Sequence, residues 1–414
     1  MSASRSSPPS SPPVVESVPP PNAAGRAIGK RPRMSRFLRL LVAITAVAHL
    51  PFVVAVAEAL SRGGVAVGAA WALAVALAVA GVALFLGRAK HSMHDDRRPA
   101  WQTFGVDVPY YVHWSACIYC LVPSLVYLVL EPLVDALRGA PIGPSAGFFM
   151  WTYASGLVVC GYGVTVRRWF FVTRRVEIPI RGLDPRFDGY RIAHLSDLHI
   201  GALTPLWWGM RWARAANEAG PDLTVITGDM VTSGVVFHDD IASLVGSLRA
   251  RDGVFVSMGN HDYFGEGEPL VTLLRERGAR VLRNEGVVLE REGASLYLAA
   301  IDDTWTRRAD MDRALAARPE GTPTVLLAHD ADKLGDAADR EVDLVLSGHT
   351  HGGQIAVPFL ARHVNASKLA HRYHLGVYRE RDTTLYVHPG LGTTGPPIRL
   401  GVAPAVVFLT LRAV

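Results

Sequence analysis

The sequence predicts two unlike parts, an N-terminal α-helical transmembrane region followed by a soluble α/β domain. Three observations carry this expectation. Long apolar runs are confined to residues before about 170, although 50% of the 414-residue chain is hydrophobic and only 19% is charged. Beyond that point, short apolar runs of strand length alternate with helix-like segments. Just past the ends of several apolar runs, polar and titratable residues gather where loops at one sheet edge would lie.

Residues 1–35 are rich in Ser and Pro and carry no periodic apolar pattern. Such a segment buries too little surface to offset the entropy of ordering, so a disordered tail is expected. The basic residues Lys30, Arg31, Arg33, Arg36 and Arg39 lead into an apolar run from Phe37 to Leu60. A signal peptide competes with a retained helix here, because Ser35-Arg36-Phe37-Leu38-Arg39 faintly resembles a twin-arginine signal. It lacks the adjacent arginine pair, the run exceeds a typical signal core, and more spans follow.

Residues 36–170 are expected to form a membrane region of about four helices, given bilayer-length apolar runs. The further spans are Val65 to Leu86, His113 to Leu130 and Ala146 to Val166, with Pro123 expected to interrupt the third. Arg88, Lys90, Arg97 and Arg98 lie between the second and third spans, and Arg167, Arg168, Arg174 and Arg175 follow the fourth. By the positive-inside rule both termini, and with them the C-terminal domain, face the cytoplasm. The formal charge of +5 and pI near 9.2 therefore reflect membrane flanks. No basic and aromatic stripe points to nucleic acid. Cys117-x-x-Cys120 lacks a second pair to complete four zinc ligands, so these cysteines and Cys160 read as helix packing. His49 lies mid-span, where a bundle-facing histidine and a functional one compete.

A polar linker is expected over 171–189, with turn signals at Gly182, Asp184-Pro185 and Asp188-Gly189. The α/β domain then occupies 190–414. Strands are expected at Tyr190 to Leu195, Leu223 to Ile226, Val254 to Ser257, Ser295 to Ile301, Thr324 to Ala328, Val342 to Leu346, Gly376 to Tyr378, Thr384 to Val387 and Ala405 to Leu409. Helices are expected at Leu206 to Ala219, with Trp207, Trp208 and Trp212, and at Ile241 to Arg249.

Five strand ends deliver residues that suit metal ions: Asp197 with His199, Asp229, Asn260 with His261, His329, and His349 with His351. In an extended chain His349 and His351 would project to one side. A histidine alone at a strand end is more often merely hydrogen-bonded; it is the five together, in this order, that point to a site.

The order Asp-x-His, Gly-Asp, Gly-Asn-His-Asp, His and Gly-His-x-His resembles the calcineurin-like metallophosphoesterase superfamily over Tyr190 to Leu411. The similarity extends to Gly352-Gly353-Gln354 and Gly390-Leu391-Gly392, and leans to the bacterial membrane-associated branch of phosphodiesterases and UDP-diacylglucosamine hydrolases. This resemblance implies two packed β-sheets flanked by helices and two divalent ions (Mn, Fe, Zn or similar). One ion would be held by Asp197, His199 and His351, the other by Asn260, His329 and His349, with Asp229 bridging. It further implies a metal-bridging hydroxide as nucleophile, His261 as proton donor and Asp262 positioning it.

The implied activity is hydrolysis of a phosphodiester or diphosphate, with a lipid-linked headgroup as expected substrate. A phosphodiesterase on soluble nucleotides and a non-catalytic membrane receptor or scaffold are the alternatives. Two neighbouring features have even readings. Asp302-Asp303 suits a site or a structural turn, and Pro358 to Tyr373, with Arg362, His363, Lys368, His371, Arg372 and Tyr373, suits a headgroup loop or a solvated basic one. His329-Asp330-Ala331-Asp332 departs from the family pattern of a ligand His leading towards a proline.

Overall fold

A computed structural model of the chain describes residues 36–91, 96–139, 146–357, 360–361 and 363–414. The Ser/Pro-rich tail and Arg362 lie outside the described residues.

Four segments are long and apolar enough to cross a membrane: Leu38–Arg62, Val67–Ala89, Ala100–Arg138 and Gly147–Arg167. The first is two helices, α1 (Arg36–Ala48) and α2 (Leu50–Arg62), joined at His49. Pro51 in the first turn of α2 explains the break, since its ring cannot donate to the ladder and crowds the preceding turn. The second is α3 (Val67–His91). The third begins well before the expected His113: α4 (Ala100–Gln102) passes through a π-turn at Thr103–Asp107 into α5 (Val108–Arg138). Pro123 does not end it, and both Pro123 and Pro132 sit inside α5. The fourth, α6 (Ala146–Tyr162), also closes in a π-turn, at Gly163–Arg167.

The first half of the expected polar linker is a strand. β1 (Val172–Ile180) runs parallel to the C-terminal strand in register from Val172 opposite Ala405 to Ile180 opposite Ala413. Arg174, Arg175 and Glu177 hid it, since Arg175, Glu177 and Pro179 alternate with Val176, Ile178 and Ile180. That is the period of an edge strand with one buried face.

The remaining strands are β2 (Arg191–Leu195), β3 (Leu223–Thr227), β4 (Val254–Ser257), β5 (Arg280–Val281), β6 (Glu285–Arg291), β7 (Ala294–Ala300), β8 (Thr324–Leu327), β9 (Leu344–Ser347), β10 (Gly376–Glu380), β11 (Thr383–Val387) and β12 (Ala405–Ala413). They form two six-stranded sheets, ordered β1-β12-β2-β3-β4-β5 and β10-β11-β9-β8-β7-β6. Alternate residues of each strand serve different cores. Ile192, Val225 and Phe255 meet Leu298, Val325 and Leu346 between the sheets. Ala193, Ile226 and Val256 face α7 (Leu206–Glu218), α8 (His238–Ser247) and α9 (Gly267–Glu276) on the outside. Burial on both faces is why these strands read as continuous apolar runs. Trp208 and Trp212 belong to the outer core, whereas Trp207 is exposed and stacks on Trp169 with ring centres 5.4 Å apart.

The membrane helices dock onto this domain. Gly163 abuts Ile398 and Leu400 so closely that a Cβ would lie 2.8 Å from Ile398. The buried Arg168 guanidinium donates to the Leu203 carbonyl at 2.6 Å, and Arg97 pairs with Asp240 at 3.2 Å.

Candidate active site

Strands β2, β3 and β4 are mutually parallel, as are β8 and β9, so their C-terminal ends gather at one edge. The five expected motifs occupy the five turns that leave those ends. Three of these turns bend sharply: Asp197 and His199 after β2, Asp229 after β3, and His349 and His351 after β9 have φ of 52°, 43°, 52°, 70° and 53°. Left-handed backbone at a non-glycine residue costs on the order of 1–2 kcal/mol. Such strain persists where the surroundings hold it, and here it turns the side chains inward. His349 and His351 are thus not an extended pair, and their rings enter different clusters.

One cluster is Asp197, His199 and His351, with His199 Nε2 3.1 Å from His351 Nε2 and Asp197 Oδ1 3.5 Å from the latter. The other is Asp229, His329 and His349, with His329 Nε2 3.2 Å from both Asp229 Oδ2 and His349 Nδ1. Asp229 Oδ2 also lies 3.8 Å from His199 Nε2, so one carboxylate faces both clusters. Backbone carbonyls set the rings: Val231 O lies 3.2 Å from His199 Nδ1 and Thr227 O 2.7 Å from His329 Nδ1. A proton held on Nδ1 leaves Nε2 as a lone pair aimed into the centre.

These residues fit a pair of divalent cations. Facing ring nitrogens at 3.1 and 3.2 Å suit a shared positive charge better than two opposed lone pairs. Asp197 Oδ2 and Asn260 Oδ1 are buried and without hydrogen-bond partners among the described residues. Buried acceptors in that state want a partner, and a cation supplies one. Burial holds His199 near a pKa of about 3 with His261 adding to it, and His349 near about 4 with His329 adding to it. Both are therefore neutral and ready to ligate near pH 7. Asp229 is held well below the usual carboxylate range; burial opposes this, and the positive charge of His329 and His261 overcomes it, a charge that a bound cation would supply in place of the Nε2 proton of His329.

Asp262 does not orient the His261 ring as expected. Its buried carboxylate accepts from the amides of Asp229, Met230, Val231 and Gly259 at 2.9, 2.8, 3.2 and 2.9 Å. It pins the Asp229 turn to the Gly259 turn. The His261 ring is held instead by Thr232 O, 2.7 Å from Nδ1, and its Nε2 lies 3.5 Å from Thr394 Oγ1.

Thr232 and Thr394 carried no sequence signal, and neither did Arg399. The Arg399 guanidinium is buried against the carbonyls of Gly392 and Pro389 and lies 3.3 Å from His351 Nδ1. Gln354, within the Gly-Gly-Gln run, clasps Thr394 through both ends of its amide. Asp302 accepts from Tyr263 and Arg283, and Asp303 caps Thr306, as a structural turn does. Of the basic loop, His371 reaches the site edge, its ring centre 5.2 Å from that of His349, and Trp305 flanks His349 at the same distance.

Two packed sheets, converging turns and paired Asp/His clusters define a metal-dependent hydrolase of phosphoric esters. The chain belongs to the calcineurin-like metallophosphoesterases, and residues 190–353 match the family described as calcineurin-like phosphoesterase. It is 32% identical over 231 residues to the uncharacterized metallophosphoesterase YkuE of Bacillus subtilis (strain 168), covering 55% of this chain and 80% of that protein. It is 32% identical over 255 residues to a Bos taurus transmembrane protein with metallophosphoesterase domain, covering 58% of this chain and 56% of that one. An uncharacterized metallophosphoesterase of Helicobacter pylori (strain ATCC 700392 / 26695) is 33% identical over 242 residues, 57% of this chain and 63% of its own. The chain thus spans less than two thirds of the latter two.

Proposed function

We propose that this chain is a membrane-anchored two-metal phosphoesterase that hydrolyses a phosphodiester or diphosphate carried by a lipid. The observation behind the lipid is a cavity of about 800 Å³ that joins His261 to the membrane helices. Its far wall is Leu41, Phe85 and Trp114 from the spans, and its near wall is Phe264, Thr394 and His261 from the domain. A water-soluble diester needs no apolar wall on that side, whereas an acyl chain does. Arg88 and Arg98, both ion-paired to Asp107, line the same cavity and suit an anionic headgroup.

Asp197, His199 and His351 would hold one cation, and Asn260, His329 and His349 the other, with Asp229 shared. Two divalent ions bound there would offset charge on phosphoryl oxygens and would lower the pKa of an attacking water towards about 7. The chain's own residues do the rest. Thr232 fixes the His261 ring so that Nε2 faces the cavity, and from the imidazolium form Nε2 passes its proton to the leaving oxygen. Phe264 lies against the ring with centres 4.6 Å apart. The arginines flanking the spans support a cytoplasmic face for the domain, which protease accessibility in sealed, oriented vesicles tests.

The deciding comparison uses full-length protein with Mn²⁺ in mixed micelles, given a phosphodiester on a diacyl lipid and a water-soluble nitrophenyl diester. The lipid-borne substrate is expected to turn over faster. Leu41→Trp, which fills the membrane end of the cavity, should slow that substrate and spare the soluble one. Equal rates on both substrates in the wild type would sink the lipid assignment.

A further inference from the structure

A second donor cluster lies inside the membrane region: His49 at the break between α1 and α2, with His113 and Cys117 one turn apart on α5. One nitrogen or sulfur of each lies within 4.8 Å of the others. His49 and Cys117 are buried, with relative exposures of 2% and 0%.

The ring settings are those of ligands. Thr45 O lies 2.7 Å from His49 Nδ1, so that nitrogen carries the proton and Nε2 is left as a lone pair. That Nε2 has no hydrogen-bond partner among the described residues. His113 Nδ1 is engaged by the Tyr153 hydroxyl at 2.8 Å, which leaves its Nε2 for the centre. Cys117 Sγ lies 3.8 Å from each of the two His113 ring nitrogens, and Tyr153 occupies only Nδ1. Nitrogen and sulfur donors about 2.0 and 2.3 Å from one ion stand roughly 3.5–3.8 Å apart. α3 leaves room by presenting Gly81, where a Cβ would sit 2.6 Å from His49 Nε2 and 3.5 Å from His113 Nε2.

We propose that His49, His113 and Cys117 form an intramembrane site for a soft monovalent cation, copper(I), separate from the phosphoesterase centre. Thiolate and imidazole are the donors such an ion prefers. Charge argues the same way. Copper(I) binding releases the Cys117 thiol proton to water, and the resulting thiolate with one positive ion makes a neutral complex. Zinc with the same three donors would leave a net positive charge among apolar helices, which is costly there. The bound ion would tie the broken first span to the third, fixing one wall of the cavity.

Full-length protein in detergent, preloaded with Mn²⁺, is titrated anaerobically with copper(I) against a chromogenic copper(I) chelator. One equivalent is expected to be withheld from the chelator, and X-ray absorption should show a copper–sulfur distance of about 2.2–2.3 Å. His49→Ala and Cys117→Ser should each weaken retention at least tenfold, and Cys117→Ser should abolish the sulfur scattering. Cys120→Ser should change neither. Monodisperse elution of each variant separates loss of the site from loss of the fold. Equal retention by wild type and Cys117→Ser, no sulfur in the copper shell, or tighter retention of zinc than copper(I) each overturns the proposal.

Discussion

Replacing Asp262 by alanine separates a scaffold role from a catalytic one. The carboxylate accepts four backbone N–H groups at 2.8–3.2 Å and is 1% exposed. Alanine orphans all four, and an unsatisfied buried donor costs roughly 1–3 kcal/mol, so the sum is about 4–12 kcal/mol. A water entering the vacated space accepts at most two of them, which brings the cost to about 2–6 kcal/mol. Because Asp229 and Gly259 lie on the turns so released, the cost falls on metal retention as well as on folding. The assay is thermal unfolding of the full-length protein in detergent, alongside manganese stoichiometry after gel filtration. A lowered midpoint with lost metal is expected, and His261→Gln should show neither. If Asp262→Ala kept the wild-type midpoint and metal content and lost only turnover, its carboxylate would be acting on His261 and the reasoning would be refuted.

The other expectations are narrower. His261→Gln should retain both ions and lose roughly 10²–10⁴ in kcat, the range for a positioned acid; unchanged kcat would remove it from the mechanism. Gly259→Ala would place a Cβ 2.3 Å from Asp229 Oδ1 and 2.6 Å from its amide, so it should destabilise by about 1–3 kcal/mol and lower metal content. His349→Ala and His351→Ala should each remove a different ion first, which paramagnetic titration with manganese resolves as two distinct residual sites. Burial holds His194 at about 3, against 6.5 for the free side chain, and holds His388 low as well. Between those values the unfolded chain binds more protons, so stability present above about pH 6.5 is lost as pH falls towards about 3, by on the order of a few kcal/mol. Unfolding midpoints from about pH 8 down to 5 should fall, and His194→Gln should flatten the profile.

Much of the site was legible because metal chemistry restricts residue type. Asp, His and Asn at five strand ends form a pattern that survives without coordinates, and parallel strands had to bring those ends to one edge. Thr232, Thr394 and Arg399 were not legible, because they act through a carbonyl, a hydroxyl and a guanidinium, groups common to loops of every kind. Asp262 was misread for a related reason. Adjacency to His261 suggested contact, but a tight turn sends neighbouring side chains in different directions, and this one reaches back 33 residues to Asp229. β1 was missed because an edge strand buries one face and reads as polar.

The sequence by itself determined the two-part architecture, the apolar spans and the residues that converge on the phosphoesterase centre, since hydrophobic period and ligand type are properties of residues in order. The tertiary structure alone decided that Asp262 is a brace, that the active site opens towards the membrane helices, and that Cys117 faces two histidines from different spans. Those are relations between distant segments, set by how sheets and helices pack, and no local pattern encodes them.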